Sequence, residues 1–411
     1  MMPLSEKNRK KNGDPCIVQD IDTFKSNFAI FSESSLANLD WSNVVVAGSA
    51  VLTPLLVVPP QYQETKRSLR EYYHQILAPA SDIDMFIYGI DDEQEAIKKM
   101  EAIEKTVQDN LLWETTTIRT RNTITIVSQY PNRHVQIVLR LYKSISQILT
   151  GFDVNCSCFA FDGERVLANP RALEACITQC NNMDLSRRSP SYENRLSKYS
   201  KRGFEVYCPF LDRSRIDPTI FERSFGRTVG LAKLLVLEAL PTTEKREEYQ
   251  VDRRRETQRL HKPAMQRHFT KNKKDYADDE VAEWDFEDHS SYQKFNIPYG
   301  EGITAKQIEK LFFKKDLLLN AEWNATNQPP HREVNLHRHP VFLGDVQSIV
   351  QDCCGYCPEP VTEEEKLVAE EEDQVYVKGK MEMLTWLGDD PGRQEVGECS
   401  DPPHSFPDSF G

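Results

Sequence analysis

Apolar residues in this chain change their spacing several times, and each change marks an element. Phe24, Phe28, Phe31 and Leu36 recur at near-helical intervals and predict a helix within residues 21–42. Val44 to Ala47 is a β-branched apolar run, a buried strand over 44–48 that stops at Gly48-Ser49. A second strand occupies 83–89 and ends at Gly89. Asp91-Asp92 then open a helix to about Asn110, with Ala96, Met100, Ile103, Val107 and Leu111 along one face. Acids at its start suit the helix dipole. Thr, Ile and Val dominate 115–128 and 134–142, a predicted hairpin turned by Tyr-Pro-Asn-Arg. A helix near 143–150 and a strand over 153–161 follow. The pattern predicts an α+β core over residues 21–170, a mixed and twisted sheet with flanking helices, followed by a mainly helical segment.

Outside that core the pattern weakens. Residues 1–20 are polar and read as a flexible N-terminus. Residues 171–241 predict a helical, basic segment, in which Ser189 or Ser191 would cap a helix. There Arg195, Lys198, Lys201 and Arg202 recur every three or four positions and Tyr192 and Tyr199 interleave with them. Such a composition suits contact with phosphates or nucleobases. It also suits a solvated helix face that packs through Leu196 and Tyr199. Residues 242–295 form a mixed-charge, partly disordered linker, and 296–358 a small ordered segment with a helix in Thr-Ala-Lys-Gln-Ile-Glu-Lys-Leu-Phe-Phe.

Charge and composition narrow the classes. The 411 residues carry a net charge of −13, with 39% hydrophobic and 28% charged residues. Residues 359–411 hold a net −11, so the rest is close to neutral. That tail reads as disordered and solvated, with a basic partner as its alternative role. A near-neutral body with an acidic tail argues against a general nucleic-acid binder. No stretch reaches the 18 or so apolar residues of a membrane span, and no apolar segment follows the basic N-terminus. Ten cysteines at irregular positions suggest reduced thiols, and so the cytoplasm or nucleus. His331, His337, His339, Cys353, Cys354 and Cys357 are candidate zinc ligands, although only Cys354 and Cys357 form a spaced pair.

The most informative run is Ser-Asp-Ile-Asp-Met-Phe-Ile-Tyr at 81–88. Alternation puts Asp82 and Asp84 on one side of the strand, about 7 Å apart. Two carboxylates so placed need water or cations, and an Asp-x-Asp pair beside an apolar strand is a candidate Mg²⁺ clamp. Alone, the pair also suits a solvated strand edge. Upstream, a strand ending in Gly48-Ser49 offers backbone amides and a hydroxyl to a phosphate.

Together, Val-Val-Val-Ala-Gly-Ser and Ser-Asp-Ile-Asp-Met-Phe-Ile-Tyr resemble the signature of the DNA polymerase β-like nucleotidyltransferase superfamily. The resemblance covers about residues 41–162. It implies that Gly48 and Ser49 hold a nucleoside triphosphate and that Asp82 and Asp84 bind Mg²⁺ or Mn²⁺. It also implies a third carboxylate on a nearby strand. Two features depart from the family's pattern. Residues 50–81 intervene between the two motifs, and the strand Arg-His-Val-Gln-Ile-Val-Leu-Arg-Leu-Tyr carries Gln136 where an acid is expected. Asp153 is the candidate third acid, catalytic and metal-binding; the alternative is a degenerate site without one. Arg187, Arg188, Lys198 and Lys201 are the candidates to neutralise pyrophosphate. The implied reaction is two-metal transfer of a nucleoside monophosphate to an acceptor hydroxyl on RNA, protein or a small molecule. The rival is an inactive scaffold of the same fold.

Overall fold

Asp20 caps the first helix by accepting a hydrogen bond from the Thr23 amide, and α1 (Ile21–Phe31) turns Phe24, Phe28 and Phe31 inward. The computed structural model describes residues 1–119, 123–188, 192–222, 228, 230–240, 242, 245, 297–311 and 342–349. Strand β1 (Val44–Ala47) leads through Gly48 into the short helix α2 (Ser49–Leu55). The excursion predicted between the two motifs contains α3 (Lys66–Glu71), which runs into a wider π-helical turn over Tyr72–Leu77. Then come β2 (Ile83–Tyr88) and α4 (Glu93–Asn110), the latter capped by Asp92 and buried through Ala96, Met100, Ile103 and Val107.

The strand expected over 115–128 is two strands, β3 (Thr116–Arg119) and β4 (Thr123–Val127), paired antiparallel. β4 pairs antiparallel with β5 (Val135–Tyr142), and the Tyr-Pro-Asn-Arg run lies between them. After α5 (Ile145–Thr150), the strand expected over 153–161 is shorter. A single turn at Asn155–Ser157 precedes β6 (Phe159–Phe161), so Asp153 lies in a connection. β7 (Val166–Ala168) and α6 (Pro170–Thr178) complete the core. Next are β8 (Cys180–Asn182), α7 (Tyr192–Lys201), β9 (Glu205–Tyr207) and α8 (Leu231–Ala239). β10 (Phe342–Gly344) adds to the sheet, whose order is β10-β3-β4-β5-β2-β1-β6-β7, and β8 and β9 form a separate parallel pair. β2 and β5 are parallel and the remaining neighbours in the large sheet antiparallel, so it is a mixed sheet with flanking helices.

The two faces of this sheet differ. One carries Val44, Val46, Ile83, Met85, Ile87, Ile137 and Leu139 into a single apolar core with α1 and α4. The other bears two smaller clusters. Val45, Ala47, Phe86, Tyr142, Ile148, Leu149 and Ala160 form the first, with Phe152 against it. Ile118, Val127 and Ile308 form the second, with Ile297 and Ile303. Between them, the register aligns Ala47 with Asp84, Asp84 with Gln136, and Gln136 with Thr125. Directly paired residues share a face, so this polar row lies between the two clusters.

The N-terminal residues make specific contacts rather than standing apart. The Met1 carbonyl accepts from the Val206 amide at 3.2 Å, Arg9 pairs with Glu205 at 2.7 Å, and the Lys10 amide donates to Gln179 at 2.7 Å. No helix among the described residues is long and apolar enough to cross a membrane.

Candidate functional site

Ile83, in β2, packs into the core while Asp82 and Asp84 rise on the opposite side. Both are partly accessible in a setting crowded by protein. Burial raises Asp82 to about 6 and Asp84 to about 7, and Asp84 is raised further by the charge of Asp82. Lys198 opposes both shifts, with Arg133 helping at Asp82 and Arg195 at Asp84.

Gly48 brings the β1–α2 turn over this pair. Its φ of 83° and ψ of −141° belong to backbone that glycine adopts readily. A Cβ at this position would stand 4.0 Å from Asp84 Oδ2 and 3.8 Å from the Phe152 ring. Those are ordinary contact distances, so the positive φ rather than lack of space selects glycine here. Ser49 opens α2, and its hydroxyl lies 2.7 Å from that of Ser81, the residue before Asp82. The two sequence motifs, 32 residues apart, are thus joined side chain to side chain.

Arg133 fixes the approach to Asp82 from behind. Its guanidinium is 1% exposed and donates to the carbonyls of Phe31 at 2.9 Å, Ala78 and Ser81 at 2.8 Å each, and Tyr73 at 3.0 Å. It lies 4.0 Å over the Phe31 ring. Burial lowers its pKa to about 10. In the sequence this arginine belongs to the Tyr-Pro-Asn-Arg turn. Its role rests on carbonyls 52 to 102 residues away, which no local pattern shows.

Helix α7 faces the pair. Lys198 interacts with both aspartates, yet burial and the nearby Arg202 lower its pKa to about 8 while its side chain remains reachable by solvent. One turn earlier, Arg195 holds Asp153 through two nitrogens, Nε to Oδ1 at 3.1 Å and the second to Oδ2. One turn later, Arg202 reaches Thr53 Oγ1 of α2 at 3.5 Å.

The other expected residues are placed as follows. Arg187 pairs with Asp184 at 3.1 Å and donates to the Thr150 carbonyl at 2.8 Å; Arg188 pairs with Glu193 at 2.6 Å. Lys201 is exposed on the last turn of α7. Asp153, the candidate third acid, forms an ion pair with Arg195. Among the described residues, no group of three or more His, Cys, Asp or Glu side chains is arranged to hold a metal. Gln136 occupies the place beside Asp84 and donates from Nε2 to Asp82 Oδ2 at 3.2 Å. The histidines and cysteines considered for zinc, and the acidic tail, lie outside the described residues.

Mg²⁺ is commonly held by one or two carboxylates with water and substrate phosphates completing its shell, and Asp82 and Asp84 supply that number. The Gly48 turn permits phosphates to come close, and Lys198 offers a point charge across from the carboxylates.

Comparisons with known proteins bear on this core. Residues 22–179 match the family model described as Gad2, Gabija anti-defense 2 family protein. The match takes in Gly48, Ser49, Asp82, Asp84, Gln136 and Asp153 and stops before α7. Over 151 residues the chain is 40% identical to an uncharacterized protein of Acanthamoeba polyphaga mimivirus, covering 33% of each. The chain thus spans about a third of that relative's length. A CCA-adding enzyme of Bacillus stearothermophilus, solved in complex with CTP, aligns with 54% of this chain and 49% of its own at 12% identity. Its TM-score of 0.26 is too low to bear on fold or site.

Proposed function

We propose that the chain binds a nucleoside triphosphate in the cleft between β2 and α7 and transfers the nucleoside monophosphate to an acceptor hydroxyl. The observation that carries this reading is the meeting of Gly48-Ser49 with Asp82 and Asp84 on one sheet face, under the cation of Lys198. In that arrangement the carboxylates hold Mg²⁺ or Mn²⁺, the glycine turn receives phosphates at close range, and Lys198 draws on their negative charge. The bound ion would supply Lewis-acid polarisation of the phosphates. Ser49, tied to Ser81, keeps the turn and the aspartates in register. Asp84 and Phe152 both lie within 4.0 Å of where a Gly48 Cβ would stand, so the turn adjoins the carboxylate. In the transfer, the acceptor oxygen bonds to the α-phosphorus, the bond to the bridging oxygen breaks, pyrophosphate leaves and the acceptor's proton passes to solvent. RNA, a protein or a small molecule could each provide that hydroxyl. The family description supports a setting in which the transfer counters a defence system.

Of the cations expected to meet the leaving pyrophosphate, Lys198 is the best placed. Arg187 and Arg188 would have to give up their acidic partners first, and Lys201 lies a turn further along α7.

A second reading, an inactive scaffold of the same architecture, draws on two observations. Gln136 stands where an acid would complete the site, and Asp153 is neutralised by Arg195. Incubating the full chain with each labelled nucleoside triphosphate and Mg²⁺ or Mn²⁺ separates the two. Transfer predicts pyrophosphate release that disappears in Asp82→Asn with Asp84→Asn. Nucleotide binding without release, or no binding at millimolar nucleotide, favours the scaffold.

A further inference from the structure

We infer that the cleft is built for a single divalent ion, with Gln136 closing the second ion position and Lys198 supplying the remaining positive charge. This rests on the nucleotidyl-transfer reading and specifies how that site handles its cations.

Ligand chemistry is the first argument. Two-metal phosphoryl-transfer sites place their ions about 3.5–4 Å apart, and each ion needs its own oxygen ligands besides those shared. Here Asp82 and Asp84 supply two carboxylates. The next side chain along the sheet row is Gln136, paired with Asp84 in register and hydrogen-bonded to Asp82 at 3.2 Å. Its amide nitrogen faces that carboxylate, the orientation an ionised Asp82, which can only accept, requires. Gln136 therefore presents a donor to the aspartate pair, at the place where another ion would need an acceptor. The hydrogen bond also occupies a lone pair of Asp82 Oδ2 that a second ion would claim.

Charge is the second argument. Without nucleotide, one divalent ion balances the two carboxylates. A second would bring two more positive charges into a cleft whose cations are already in place. Lys198 interacts with both aspartates, Arg195 with Asp84, and Arg133 with Asp82. Asp153, the acid best able to offset them, is held by two nitrogens of Arg195. Taking Asp153 for a metal would strand that guanidinium beside the incoming cation.

Mn²⁺ is the probe. Protein-bound Mn²⁺ is counted by equilibrium dialysis and electron paramagnetic resonance on the full chain, with a non-hydrolysable nucleoside triphosphate analogue present. Counts are referred to the Asp82→Asn, Asp84→Asn variant, which subtracts ions held elsewhere on this acidic protein. The wild type is expected to hold one ion per chain above that reference. Gln136→Glu is expected to hold two, because the donor becomes a third carboxylate. Lys198→Ala is expected to weaken retention of the analogue about tenfold or more with the count still one. Should Gln136→Glu fail to fold, Gln136→Asp takes its place, and the wild-type count is decisive without either. Two ions in the wild type overturn the inference and leave the nucleotidyl-transfer reading standing. One ion in both wild type and Gln136→Glu overturns the role given to Gln136. No ion and no analogue bound overturns both the inference and the reading beneath it.

Discussion

Ile83, Met85 and Ile87 are wholly shielded from solvent, whereas Asp82, Asp84 and Tyr88, which alternate with them, remain partly accessible. The same few residues of β2 thus serve two regions. The inward side belongs to the large core with α1 and α4, and burial there contributes stability through apolar area removed from water. The outward side carries charge that the fold makes costly, since both carboxylates are pushed up by burial. A strand that existed only for stability would not place acids there. The contrast teaches that the outward side is maintained at the expense of stability, as binding and catalytic groups often are.

The comparison can be broken first at Arg133, which serves both sides. It secures the carbonyls of Phe31 and Tyr73 near the core and that of Ser81 next to Asp82. Arg133→Met should cost about 3–5 kcal/mol, because several buried carbonyls lose their donor together. Urea unfolding measures this, and a loss under about 1 kcal/mol would mean the guanidinium is not a keystone. Met85→Ala tests the inward side alone. It should cost about 2–4 kcal/mol, the usual range for truncating a buried side chain, while nucleotide affinity in the folded protein stays within about twofold. A large affinity change with little loss of stability would erase the distinction between the faces.

Asp84→Asn tests the outward side, with a smaller effect of opposite sign. The folded carboxyl titrates near 7 and the unfolded one near its ordinary value of 3.8. Well below pH 3.8 both states hold the proton and the residue contributes nothing. As pH rises from about 3 to 7 the unfolded chain releases its proton first, so stability falls, and the penalty is complete above 7. Asp84→Asn removes it. Without divalent ions, the variant should be more stable than wild type by about 1–3 kcal/mol at pH 8, with the difference vanishing well below pH 3.8. Thermal unfolding across that range reads the difference, and a destabilised variant at pH 8 would show that the carboxylate supports the fold.

Much of this site was legible in the sequence because its key features are local. Gly48-Ser49 ends a β-branched run, Asp82 and Asp84 alternate with Ile83, and Lys198 falls in a helical basic spacing. Each is a pattern within a few residues. What escaped depends on partners far along the chain. The pairing of Asp153 with Arg195, 42 residues on, has no local signal. Arg133 looked like a turn residue until the carbonyls around it were in place. Arg187 and Arg188 read correctly as basic, yet nearby acids engage both. In the fold, the β3–β4 split was hidden because Thr and Ile suit either strand. The docking of residues 297–311 was hidden too. There the Tyr299 hydroxyl donates to the Pro131 carbonyl at 2.9 Å, a contact spanning 168 residues.

The most direct test of the central claim is nucleotide affinity measured by calorimetry across pH, with Mg²⁺ present. The carboxylates must be ionised, which favours pH above about 7, and Lys198 must keep its proton, which favours pH below about 8. The account predicts triphosphate binding that is strongest between those values, falls on either side, and is lost in Asp82→Asn with Asp84→Asn. Binding that is unchanged in that variant, or no binding at any pH with millimolar nucleotide, would contradict it.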